Sequence, residues 1–208
     1  MKKIDIYEEL KSRIVKNEYK PGHVLNEIEI SKEFDISRTP VRNAFQRLEL
    51  DMLLNIVPRY GVQVAFIDFT TMKSLFELTS VLDPLATRNA VNYITKEQLN
   101  RLKEITAELD KLSLNDDYQK AIDYDEEFHS IILEACNNPW LTSTLKSLHL
   151  HTERLWHYCK GYFTDMTIFT RTFKLIIEAI EENDEIKAEK YSREHINDFV
   201  SRVKEALF

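Results

Sequence analysis

Two groups of side chains in this sequence have the types and spacing to do chemistry. Ile122, Asp125, His129, Ile132 and Cys136 recur at steps of three and four residues, so a carboxylate and an imidazole stand one helical turn apart on an otherwise apolar seam. His195 is placed similarly, between Ser192 and Phe199 on the last helical segment. A carboxylate and two imidazoles from different helices can hold a divalent ion such as zinc or nickel. Without an ion, the same groups must hydrogen-bond one another or water, because buried polar groups left unpaired are costly.

The second group lies in "EFDISRTPVRNAF", residues 33–45, and just beyond it. Arg38, Arg42 and Gln46 are spaced by four, while Val41, Ala44, Phe45 and Leu48 follow the apolar period of a different helical face. Arg38, Arg42, Arg47 and Arg59 fall within 22 residues whose only acids are Glu49 and Asp51. Guanidinium forks at a helix start can bond a guanine edge or a phosphate. The competing reading is a solvated face.

These groups need elements to hold them. The chain has 208 residues, 43% of them hydrophobic and 30% charged, with only 3 glycines and 5 prolines, which favours long helices joined by short turns. No stretch approaches the roughly eighteen apolar residues of a membrane helix, and "MKKIDIYEEL" turns charged too soon for a signal peptide, so a soluble cytoplasmic protein is expected. Cys136 and Cys159 have neither metal nor redox spacing and read as ordinary thiols. Residues 1–68 carry equal numbers of acidic and basic side chains, so the net charge of −7 lies entirely in residues 69–208. The two parts therefore have different surfaces, and a local basic patch can meet DNA despite the acidic total.

The first part reads as three helices and a hairpin. Helix one runs from about Ile4 to Asn17, with Ile6, Leu10, Ile14 and Val15 on one face, and helix two spans about Glu27 to Phe34. Helix three begins at Ser37 or Thr39, either able to cap it, with Pro40 in its first turn. "LLNIVPRYGVQVAFI" then reads as two strands around a turn from Pro58 to Gly61. A short helix, a tight turn, an arginine-led helix and a hairpin make a winged helix-turn-helix. The remainder reads as helices near 69–92, 95–112, 117–137, 139–160, 165–182 and 184–206, with a kink expected at Pro84. The expected fold is mainly α: a winged helix-turn-helix domain, 1–68, followed by an all-α antiparallel bundle of about six helices, 69–208.

"ISRTPVRNAFQRLE" followed by "PRYGVQV" resembles the GntR family of bacterial transcription regulators. The resemblance implies that Arg38, Thr39 and Arg42 contact operator DNA and that Gly61 forms the wing tip; Gln46 and Arg59 extend this candidate surface. Asp35 and Met52 stand where that family usually has glycine, and Ile28 where some members carry another DNA-contacting arginine. "DYDEEFHSIILEACNNPWL" is similar to the FCD-type effector domain of the FadR branch, in which an Asp-x-x-x-His pair joins two later histidines around a metal. Asp125, His129 and His195 match three of those positions, and Phe173 occupies the fourth, where it cannot ligate.

The resemblance also bears on the effector. Members that bind small organic acids often have arginine at the position of Thr79, which here cannot clamp a carboxylate. His151 or Arg154 could take that role, although the apolar stripe Leu148, Leu155, Trp156 and Cys159 makes them rim residues on the simpler reading. The expectation is a ligand-responsive transcription regulator, a repressor, that binds a palindromic operator as a homodimer and is gated by a metabolite in the bundle. A metal-dependent hydrolase is the alternative from another class, but no nucleophile elbow, HExxH or phosphate loop accompanies the donors, so no enzyme is expected. A sensor or scaffold that has lost DNA binding is the other; the intact SRTPVR wording argues against it.

Overall fold

Capping residues and apolar stripes define the first elements. Asp5 accepts a hydrogen bond from the Tyr7 backbone at 3.0 Å and opens α1 (Ile6–Val15), whose Ile6, Leu10, Ile14 and Val15 are buried. The computed structural model describes residues 5–57, 61–162 and 167–207, and for residues 114–116, 168 and 206 the backbone alone. The chain divides into two compact units, Met1–Phe69 and Thr70–Phe208.

In the first unit, Asn26 caps α2 (Glu27–Glu33) by accepting from the Ile28 backbone at 2.8 Å. Ser37 occupies the N-cap position of α3 (Arg38–Leu50), but its side chain makes no capping bond, and Thr39 lies inside the helix. The capping expected of either residue is therefore absent, and Pro40 sits in the first turn, where no intrahelical N–H is lost. Val41, Ala44, Phe45 and Leu48 bury together, and the Tyr7 hydroxyl donates to Asp51 at 2.6 Å, tying α1 to the end of α3.

Three short antiparallel strands complete this unit in the order β1-β3-β2: β1 (Val24–Leu25), β2 (Leu54–Val57) and β3 (Gly61–Val64). Val57 pairs with Gly61 and Leu54 with Val64. The expected turn at residues 58–60, with Arg59, lies outside the described residues. β1 was not legible as a strand; two residues carry no period, and it exists through pairing with β3. Gly22 precedes it with φ +82°, and an added Cβ would stand 2.8 Å from the Phe66 ring, so both backbone and space require glycine there.

Among the described residues the second unit is all helix: α4 (Phe69–Ala90), α5 (Lys96–Leu109), α6 (Leu114–Ala135), α7 (Pro139–Tyr158), α8 (Thr167–Glu181) and α9 (Glu185–Leu207). α4 runs unbroken through Pro84, whereas non-helical backbone angles occur at Asp117, close to where the sequence period begins in α6. Thr95 and Gln98 form a reciprocal capping box on α5, and Asn138 caps α7 ahead of Pro139. Phe128, Phe173, Phe169 and Trp156 fill the centre, and Thr87 of α4 donates to Ser192 of α9 at 3.0 Å. This packing brings α4, α6, α7, α8 and α9 around one set of polar side chains.

Candidate functional site

The first unit exposes Arg38, Thr39, Arg42 and Gln46 along the outer face of α3 while its opposite face is buried. Arg38 and Arg42 both donate to Glu27, the first residue of α2; Arg42 does so through Nε at 2.5 Å and Nη2 at 2.9 Å. Gly61 opens β3 with φ +109°, and a concavity of about 650 Å³ is lined by Glu27, Ile28, Arg42, Gln46, Val57 and Gly61, among others. Two guanidiniums, an amide and a strand edge on one surface can take phosphate and base edges. Asp35 and Met52 adopt φ of 50° and 56°, the left-handed backbone that glycine takes freely.

In the second unit, Asp125 and His129 of α6 meet His195 of α9. His129 Nε2 is 3.3 Å from His195 Nε2, and Asp125 Oδ1 is 3.8 Å from the first and 3.9 Å from the second. A point equidistant from these atoms lies roughly 2.1 Å from each, the length of a zinc–nitrogen or zinc–oxygen bond. Asp125 Oδ1 is buried and accepts no hydrogen bond, whereas Trp156 hydrogen-bonds to the same carboxyl group. Thr172 lies 2.9 Å from His195 Nδ1; a proton there, donated to the hydroxyl, leaves Nε2 free to ligate. The residues present therefore fit a divalent ion.

The electrostatics agree with that fit. Burial pushes the Asp125 carboxyl up to about 7, with the Asp83 charge adding to the rise and His149 opposing it. Burial, helped by His149, depresses His129 to about 4, and burial with the neighbouring histidines holds His195 well below its ordinary value. Both imidazoles are therefore neutral, as nitrogen ligands must be, whereas the carboxyl has to give up a proton to ligate.

A second donor pair, overlooked in the sequence, adjoins the first. His149 of α7 stands 2.7 Å from Asp83 of α4, and Asp83, His129 and His149 form another group with ligand atoms within 4.8 Å of one another. Burial opposes charge on His149, but Asp83 and then Asp125 outweigh it, so its pKa is raised. A helical signal was available: His149 follows Leu145 by four and precedes Trp156 by seven, both buried. A cavity of about 190 Å³ opens between α6 and α7, and its lining includes Asp125, His129, Lys146, His149, Glu153 and Trp156.

The remaining sequence candidates do not line this cavity, although Phe173 packs beside His195. Thr79 is fully buried in α4 with no hydrogen bond to its hydroxyl, and Phe173 is fully buried against Phe128. Arg154 is buried and depressed to about 10 by that burial, and His151 is partly buried. None of the four is among the cavity's lining residues. Lys146 and the Asp83-paired His149 reach it, together with the carboxyls of Glu126 and Glu153.

Comparison with known proteins supplies the family. The profile for bacterial regulatory proteins of the gntR family matches residues 2–64, and the FCD domain profile matches residues 74–198. An uncharacterised HTH-type transcriptional regulator of Escherichia coli (strain K12), YieP, is 30% identical over 199 residues, covering 85% of this chain and 84% of that protein. YdhC of Bacillus subtilis (strain 168), also an uncharacterised HTH-type transcriptional regulator, is 26% identical over 98% of this chain and 92% of its own length. Among solved structures, E. coli McbR/YncC shares the fold with a TM-score of 0.81 at 20% identity, over 96% of this chain and 95% of that one. The chain belongs to the GntR family of bacterial transcriptional regulators, with an FCD domain following its helix-turn-helix domain.

Proposed function

We propose that this chain is a ligand-responsive regulator whose residues 1–68 bind an operator and whose residues 69–208 dimerise and sense a small effector in the cytoplasm. The observation that carries the reading is the outer face of α3, where Arg38, Thr39, Arg42 and Gln46 are exposed together beside the strand edge at Gly61. A single head of this size makes too few base contacts for selective affinity, so two copies reading a palindrome are needed. The apolar side chains Leu78, Val81 and Leu85 recur along one face of α4 and remain 51%, 56% and 39% exposed, a surface suited to a second copy.

The effector site is the cavity between α6 and α7. Asp125, His129 and His195 would hold a zinc or nickel ion at its floor, where the ion would offer an open position to an effector oxygen. Lys146 lines the same space and, with the ion, would meet an effector carboxylate despite Thr79, whereas Glu126 and Glu153 on that lining would oppose a second one. Selection of duplexes from a random-sequence pool by the purified protein, with elemental analysis of the same preparation, tests both parts. Recovery of a palindromic consensus and near-stoichiometric metal is expected. No enriched sequence would remove the operator reading, and no metal after soaking with zinc and nickel would leave a purely organic pocket.

A further inference from the structure

Glu27 is an acid on the face of the first unit that is otherwise built to attract a polyanion. Its backbone is fixed at the start of α2 by the Asn26 cap, and its side chain is only 23% exposed. Both carboxylate oxygens are engaged: Oε1 accepts from Arg38 and from Arg42 at 2.9 Å, and Oε2 accepts from Arg42 at 2.5 Å. The two guanidiniums, whose side chains are 51% and 59% exposed, thus share one counter-charge rather than extending separately into solvent.

We propose that Glu27 is a positioning residue that sets DNA specificity by holding the Arg38 and Arg42 forks together and opposing their capture by phosphate alone. The proposal rests on the reading that α3 faces DNA. Two consequences follow from the geometry. An arginine already restrained loses less rotamer freedom when it docks on a base edge, so the selective complex keeps its affinity. A phosphate approaching the same donors meets a carboxylate inside the concavity that Glu27, Arg42, Gln46 and Gly61 line, so sequence-independent binding, which is driven by phosphate, is weakened. Arg42 keeps Nη1 outside the contacts with Glu27 and available to a base.

The test uses the full chain, a duplex enriched from a random-sequence pool by the wild type, and a scrambled duplex of the same composition. For Glu27→Gln, affinity for the scrambled duplex should rise roughly three- to tenfold, and its logarithm should fall with the logarithm of salt more steeply by about one. The ratio of enriched to scrambled affinity should fall about tenfold. Glu27→Asp keeps the charge but is one methylene too short to span both forks; it should keep the wild-type salt slope while losing selectivity. An unchanged ratio and slope in Glu27→Gln, with the wild-type melting temperature, overturns the positioning role. A wild type that prefers no duplex fails at the earlier step, the DNA-binding reading itself, and takes the proposal with it.

Discussion

Phe173 lies flat against Phe128, with ring centroids 3.6 Å apart and planes 4° from parallel, and it stands nearly perpendicular to His129 at 6.0 Å. Both phenylalanines are essentially excluded from solvent. At the position where the family resemblance places a metal ligand, the chain has an apolar wall, and the donors gather on one side of it. A three-ligand site of this form leaves a coordination position to water or effector.

Phe173→His should convert that wall into a fourth donor. Loss of the stack and of apolar burial should destabilise the metal-free protein by about 2–4 kcal/mol. Zinc affinity should rise at least tenfold, because His129 and His195 already flank the position with ring centroids 6.0 Å and 4.9 Å from Phe173. Zinc titration and melting temperature with and without zinc measure both. Wild-type affinity in the variant would show that residue 173 cannot reach the ion.

Metal binding should release a proton from Asp125. Its carboxyl is raised to about 7 in the fold, so below that pH an ion must displace a proton from it, and above that pH it need not. His129, depressed to about 4, is already neutral throughout this range. Affinity should therefore climb about tenfold per pH unit from 5 to 7 and then flatten. Calorimetry in two buffers of different ionisation enthalpy should report about one proton per ion at pH 6 and none at pH 8.5. Asp125→Asn should abolish the release along with most of the affinity.

How much of this was readable beforehand follows from the range of the interactions. Val41, Ala44, Phe45 and Leu48 obey a local helical period, and all are buried. Asp125 and His129 are one turn apart, so their common face was legible, but their convergence on His195 is made by the packing of α6 against α9, which no local spacing encodes. Asp83 and His149 escaped notice because each is a single polar residue on its own helix, 66 positions from its partner. Glu27 carries no signal at all, since an acid in a first helical turn is ordinary until the arginines of α3 fold onto it.

Met52 offers a stability test. It holds φ of 56° just after the α3 C-cap while its side chain is 66% exposed, so a Cβ is strained there for little packing return. The left-handed backbone costs a non-glycine residue about 1–2 kcal/mol, partly offset by the greater unfolded-state entropy of glycine. Met52→Gly should stabilise the first unit by about 0.5–1 kcal/mol, read as a higher denaturant midpoint at unchanged slope. A lower midpoint would show that the Met52 side chain contributes more than its exposure indicates.

Arg42→Ala should weaken binding to the selected duplex by about 1–3 kcal/mol if its fork reads a guanine, and should relax the sequence preference at one position per half-site. Arg42 is exposed and its protein contacts are with Glu27, so the melting temperature should hardly move. Fluorescence anisotropy against the selected duplex and its single-base variants is the measurement. Equal losses on every variant would assign Arg42 to phosphate instead.

The α4 surface tests the dimer. Leu78, Val81 and Leu85 lie three and four positions apart on one helical face, and Val81 is more than half exposed, so a charge there should leave the monomer's core intact. In a paired state, two copies of Val81→Asp would bring desolvated carboxylates to or near a self-complementary surface. The variant should therefore be monomeric by light scattering at micromolar concentration while the wild type is dimeric. Its affinity for a full palindromic duplex should fall toward that for a single half-site, because the gain from linking two heads disappears. Zinc binding at Asp125, His129 and His195, which lie within one chain, should persist. A dimeric Val81→Asp protein with undiminished operator affinity would exclude this face of α4 from the interface.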